Sequence, residues 1–96
     1  MNMNMLMQQA QKMQKDIQKA TEEVQNEVFV CKKDLVEVEM TGDKKLKSIK
    51  ISEDISSEDK EILEDMILLA INDVMNQIDK KMDDKLGKYK GIPGLF

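Results

Sequence analysis

Histidine, arginine and tryptophan are absent from the 96 residues of this chain, and cysteine and proline occur once each. Each gap removes chemistry. Without histidine there is no Ser-His or Cys-His dyad, and neither the commonest general base nor the commonest zinc ligand, so most enzyme classes lose their equipment. Without arginine, all 15 cationic side chains are lysines, and any anion must be held by point charges instead of a bidentate guanidinium fork. The aromatics are only Phe29, Tyr89 and Phe96, too few for the stacking platform of a single-strand binder. Cys31 has no second cysteine to pair with, which fits a reducing compartment. Alternating with Val30 and lacking a base, it reads as a small buried hydrophobe and not as a nucleophile. The longest apolar run, residues 66–71, falls far short of the roughly 20 residues of a bilayer span. The start, Met1-Asn2-Met3-Asn4-Met5, has no charged n-region, and Gln8, Gln9 and Gln11 interrupt any apolar h-region, so a cytoplasmic chain without membrane contact is expected.

What is present fits one domain spanning residues 1–96, because 41% hydrophobic and 35% charged residues describe neither a disordered tail nor a membrane protein. Met3, Leu6, Ala10, Met13, Ile17, Ala20 and Val24 recur at alternating spacings of three and four, which predicts a helix over residues 3–25 with a narrow heptad seam. Such a helix, about 35 Å long, packs against one partner. From Glu27 the period becomes two: Val28 to Cys31, then Val36, Val38 and Met40, then Ile49 and Ile51 predict three strands. Lys32-Lys33-Asp34 is expected to break the first from the second, and Thr41-Gly42-Asp43 to turn the second into the third.

The helical period then returns over 58–86, with Ser57 as expected N-cap, Glu58, Asp59 and Glu61 in the first turn, and Gly87 as the residue just past the end. Residues Ile62 to Met75 are apolar around most of the circumference, so this half should be buried between the sheet and another element. Beyond it only Ile78, Met82 and Leu86 remain apolar, one per turn, the pattern of a helix that leaves the protein body. Gly91-Ile92-Pro93-Gly94-Leu95-Phe96 cannot continue the helix. Whether this tail is mobile or docks its apolar residues on a groove is left open by the residues. The expected fold class is therefore α+β: helix, three-stranded antiparallel meander, long helix, assembled as a dimer with projecting helical arms. Dimerisation follows because the narrow seam and the open-edged sheet leave apolar surface that so short a chain cannot cover alone.

The net charge of −4 conceals a separation along the chain. Residues 21–77 hold 7 lysines against 15 acids, a balance of −8, whereas residues 1–20 and 78–96 each carry +2. Helical spacing collects Lys12, Lys15 and Lys19 on one stripe and Lys81, Lys85 and Lys88 on another. Lysines without arginines suit phosphate contact that reads little base identity. These six are the expected contacts to double-stranded DNA, set against the plainer reading of a solvated helix face. The acids crowded at the start of the second helix are explained by the helix dipole and not by a metal, since the loop oxygens of a calcium motif are missing. No catalytic residue, cofactor, metal or small-molecule substrate is expected.

Three segments carry a family resemblance: Leu6-Met7-Gln8-Gln9-Ala10-Gln11-Lys12-Met13-Gln14, then Leu63-Glu64-Asp65-Met66 through Ala70-Ile71-Asn72-Asp73, and Gly91-Ile92-Pro93-Gly94-Leu95-Phe96. In this order, with this layout, the chain resembles the YbaB/EbfC family of bacterial nucleoid-associated proteins. The resemblance implies a homodimer built through the sheet regions, with helices projecting like tweezers, that binds DNA in the nucleoid, alters its conformation and is not an enzyme. It does not fix the first strand connection, because the family often has glycines where this chain has Cys31-Lys32-Lys33-Asp34. It transfers no DNA-contact motif either, so the six lysines rest on charge and spacing alone. The rival reading is an interaction protein that binds no nucleic acid, such as a prefoldin-like chaperone subunit with apolar arm tips.

Overall fold

In the computed structural model, residues 2–52 and 59–90 are described. Helix α1 (Met3–Asn26) leads into strands β1 (Val28–Lys33), β2 (Val36–Thr41) and β3 (Lys45–Ile51), followed by helix α2 (Lys60–Leu86) and a 3₁₀ turn at Gly87–Tyr89. The fold is α+β, as the change of hydrophobic period predicts. The expected N-cap Ser57, its neighbour Glu58 and the 91–96 tail lie outside the described residues.

The strands form an antiparallel meander in the order β1-β2-β3. β1 runs through Lys32 and Lys33 instead of breaking there, and Asp34 and Leu35 alone close the hairpin, with Lys33 facing Val36. A connection this short needs positive φ to match the strand twist, and Asp34 supplies it (φ 47°). The second hairpin turns through Gly42, Asp43 and Lys44 between the paired Thr41 and Lys45, with Lys44 in the left-handed position (φ 64°). Glu39 pairs with Ser48 but Met40 pairs with Leu46, so Lys47 is an extra, unpaired residue. That bulge brings Leu46 onto the same face as Ile49 and Ile51 despite its odd spacing.

Phe29, Cys31, Val36, Val38 and Met40 line the inner face of the sheet, and Ala70, Val74 and Ile78 of α2 pack on it together with Val24 of α1. α2 lies over β1 and β2. Among the described residues nothing covers the inner face of β3, where Leu46, Ile49 and Ile51 are 42–49% exposed. On one flank of α2, the Gln77 side chain donates to the Val30 carbonyl at 3.5 Å and Asp73 meets Lys33 at 3.1 Å, both on β1. Helical periodicity places Leu68, Ile71 and Met75 on the opposite flank, toward β3. Leu68 is 60% exposed. The second element expected over α2 is therefore not supplied by the same chain among the described residues.

α1 enters β1 through Glu27 alone, whose N–H returns to the Val24 carbonyl at 3.1 Å. Immediately beneath, the buried Gly42 at the hairpin tip donates its N–H to the Glu27 carbonyl at 2.9 Å. Gly87, the expected residue just past the helix end, is right-handed helical (φ −56°, ψ −36°), because the chain tightens into the 3₁₀ turn. A Cβ there would meet open space. Gly87→Ala should accordingly raise stability by about 0.4–1 kcal/mol through the unfolded state, seen as a higher urea midpoint. A lowered midpoint would mean that this turn needs glycine.

Candidate nucleic-acid interface

The molecule measures 70 × 20 × 13 Å, and its length comes from the helices. Along the α1 seam Val24 is buried and Met13, Ile17 and Ala20 are half-buried, while Met3, Leu6 and Ala10 are exposed. The C-terminal half of α1 thus packs beside the end of α2, and among the described residues its N-terminal half projects alone. The two basic stripes expected on separate helices converge at this junction. Lys19, Lys85 and Lys88 rim one open cleft of about 290 Å³, floored by Ala20 and Tyr89 and shared with Asp16 and Glu23. Tyr89 is buried and ties the 3₁₀ turn down. Its ring lies 5.1 Å from the Lys88 ammonium, which keeps that charge at the surface.

Lys12 and Lys15 lie farther out on α1, exposed, on the same stripe as Lys19. Lys81 is half-buried one turn before Lys85 and does not line the cleft. Among the described residues none of these six lysines makes an ion pair. The paired lysines are others: Lys33, Lys44, Lys45, Lys50 and Lys90. Two of those pairs act on the acids that interleave the α2 stripe. Lys44 reaches Asp79 at 2.8 Å, and Lys90 reaches Asp83 at 2.8 Å. Sequence spacing could not reveal the first, since it joins a hairpin tip to a helix 35 residues away. The second joins residues seven apart, two helical turns.

Elsewhere the titratable groups serve the fold. The Cys31 thiol is buried and donates to Asp73 at 3.2 Å. Burial first, then that hydrogen bond, pushes its pKa up, so it stays a neutral thiol and a poor nucleophile. Asp73 is held below the usual carboxylate range by the hydrogen bonds from Cys31 and Lys33. A depressed carboxylate stabilises the fold above its unfolded-state pKa, and the gain is lost as pH falls through the folded value. The difference in urea midpoint between the parent chain and Asp73→Asn should therefore be largest near neutrality and vanish in acid. A pH-independent difference would assign the effect to packing. Among the described residues no helix is long and apolar enough to cross a membrane.

Residues 1–92 match the YbaB/EbfC DNA-binding family. Over 97% of this chain and 98% of its own length, a protein from Lactococcus lactis subsp. cremoris named nucleoid-associated protein is 50% identical. One of the same name from Enterococcus faecalis is 40% identical over 98% and 94% of the two chains. The crystal structure of an uncharacterized protein from Helicobacter pylori superposes with a TM-score of 0.71 at 19% identity, covering 95% of this chain and 99% of that one. That likeness concerns the fold.

Proposed function

The chain belongs to the YbaB/EbfC DNA-binding family, and from that premise we propose that it is a homodimeric, nucleoid-associated protein that grips duplex DNA with little sequence preference, changes its conformation and thereby influences gene expression. The observation that carries the DNA reading is the distribution of unpaired cations. Among the described residues, Lys12, Lys15, Lys19, Lys81, Lys85 and Lys88 stand without ion pairs on the helical projection, while the surplus of acid lies in the body. Six point charges per subunit, doubled in a dimer, neutralise phosphates and release counterions without reading bases. The helical projections of two subunits would then hold the duplex between them.

The dimer is supported by the uncovered apolar face, to which Leu68, Ile71 and Met75 of α2 and Leu46, Ile49 and Ile51 of β3 contribute. A second copy would cover it. Charge placed there should prevent association: Ile49→Glu combined with Leu68→Glu is expected to halve the mass measured by light scattering, and an undiminished mass would move the interface elsewhere. For DNA, mobility shift of random duplexes should weaken by roughly a thousandfold or more between about 50 and 200 mM salt. Binding that persists at high salt would indicate apolar capture, and absence of binding at low salt would remove the proposal.

A further inference from the structure

The lysines leave the outer end of the projection unused. Residues 2–11 carry no charge, and their large apolar side chains are open: Met3, Met5, Leu6 and Met7 are 40–70% exposed. Continuing the seam onto another helix would require only Met3, Leu6 and Ala10. Met5 and Met7 fall about 100° to either side of Leu6, giving an apolar arc of about 200°. That arc is wider than contact with a single neighbouring helix uses. The remaining positions are uncharged amides, among them Asn4, Gln8 and Gln11, so the first charged side chain met from the tip is Lys12.

We propose that the end of α1, centred on Met5, Leu6 and Met7, enters a groove of duplex DNA and wedges a base step apart, beside phosphates held by Lys12 and Lys15. This rests on the DNA reading above. Methionine and leucine are side chains that architectural proteins insert between base pairs, with Asn and Gln contacting the groove edges. The scale also fits. Nine residues of helix separate Met3, where α1 begins, from Lys12, about 14 Å, against a groove depth of roughly 8 Å. With the tip at the floor, the Lys12 backbone stands about 6 Å above the rim, and its long side chain reaches back to a backbone phosphate there. Continuity between an uncharged apolar end and a phosphate-binding stripe on one helix is what selects DNA as the occupant over a second α1.

The test uses the full-length protein and random duplexes carrying a central TA step, the most easily unstacked, with 2-aminopurine as the adenine. Binding of the parent chain should raise the emission of the base analogue and shorten the end-to-end distance measured by energy transfer. The variant Met5→Gln, Leu6→Gln and Met7→Gln keeps helix propensity and charge, so its mobility shift should retain the same salt dependence while both optical changes are lost. A parent chain that retards the duplex without changing the emission overturns the wedge, as does a variant that unstacks the step like the parent. A variant whose mass differs from the parent's also overturns it, because the tip would then be covered by another copy. A parent chain that retards no duplex at all fails the DNA reading itself, which separates the two failures.

Discussion

Lys81→Glu, Lys85→Glu and Lys88→Glu together are expected to abolish retardation of duplex DNA while helix content and dimer mass stay unchanged. Reversing three charges changes each subunit by −6 and the dimer by −12, and two of the three positions rim the cleft where the helices meet. Each phosphate that is no longer neutralised lowers the salt exponent by about 0.9. Freeing even a few phosphates per dimer therefore weakens binding by orders of magnitude, and the added carboxylates repel the backbone besides. Lys85 and Lys88 are exposed, and none of the three is ion-paired among the described residues, so the fold loses little beyond a favourable charge in the last turn of α2 and the Lys88 contact with the Tyr89 ring. Location is tested by a matched control. Lys32, Lys47 and Lys60 are also exposed and without ion pairs among the described residues, but they sit on the sheet and at the start of α2. Reversing those three changes net charge equally and should weaken binding far less. Equal effects would show that overall charge, not the helical projection, holds DNA.

Gly42→Ala should be strongly destabilising. A Cβ at Gly42 would stand 1.7 Å from the Val24 carbonyl oxygen and 2.5 Å from its carbon. Both are backbone atoms that no rotamer change can move. The hairpin tip would have to withdraw from the end of α1, breaking the bond from Gly42 to Glu27 and loosening Lys44 from Asp79. Overpacking a core usually costs about 1–3 kcal/mol; a clash with fixed backbone at the junction of helix and sheet belongs at or above the top of that range. Urea unfolding reads it directly. The same change at Gly87 is expected to act in the opposite direction, so the pair separates steric clash from helix propensity. A Gly42→Ala chain as stable as the parent would mean that α1 does not rest on the hairpin, and the direction of the projection would need another cause.

Both predictions depend on where α1 goes, and the chain's own pattern says only part of this. The seam from Met3 to Val24 is plain in the residues, but only from about Met13 onward does it meet α2. The reason is length: α2 and its 3₁₀ turn end at Tyr89, beside the middle of α1. Spacing along one helix cannot show where its partner stops. Likewise spacing groups the lysines one helix at a time, and only the packing of α1 on α2 brings Lys19 to Lys85 and Lys88. The glycine at position 42 reads locally as a turn residue. Its steric role arises from an α1 backbone that passes 18 residues earlier in the chain.

The residues by themselves determined the element order, the inner face of β2, the absence of histidine and arginine chemistry, and the separation of an acidic middle from lysine-bearing ends, because hydrophobic period and charge are local properties of the chain. Tertiary structure alone decided that Lys33 is occupied by Asp73 and Lys44 by Asp79, and that, among the described residues, β3 is left bare beside α2 and the start of α1 projects without cover. These outcomes depend on contacts between residues far apart in sequence, and the energies that set them are absent from any single segment.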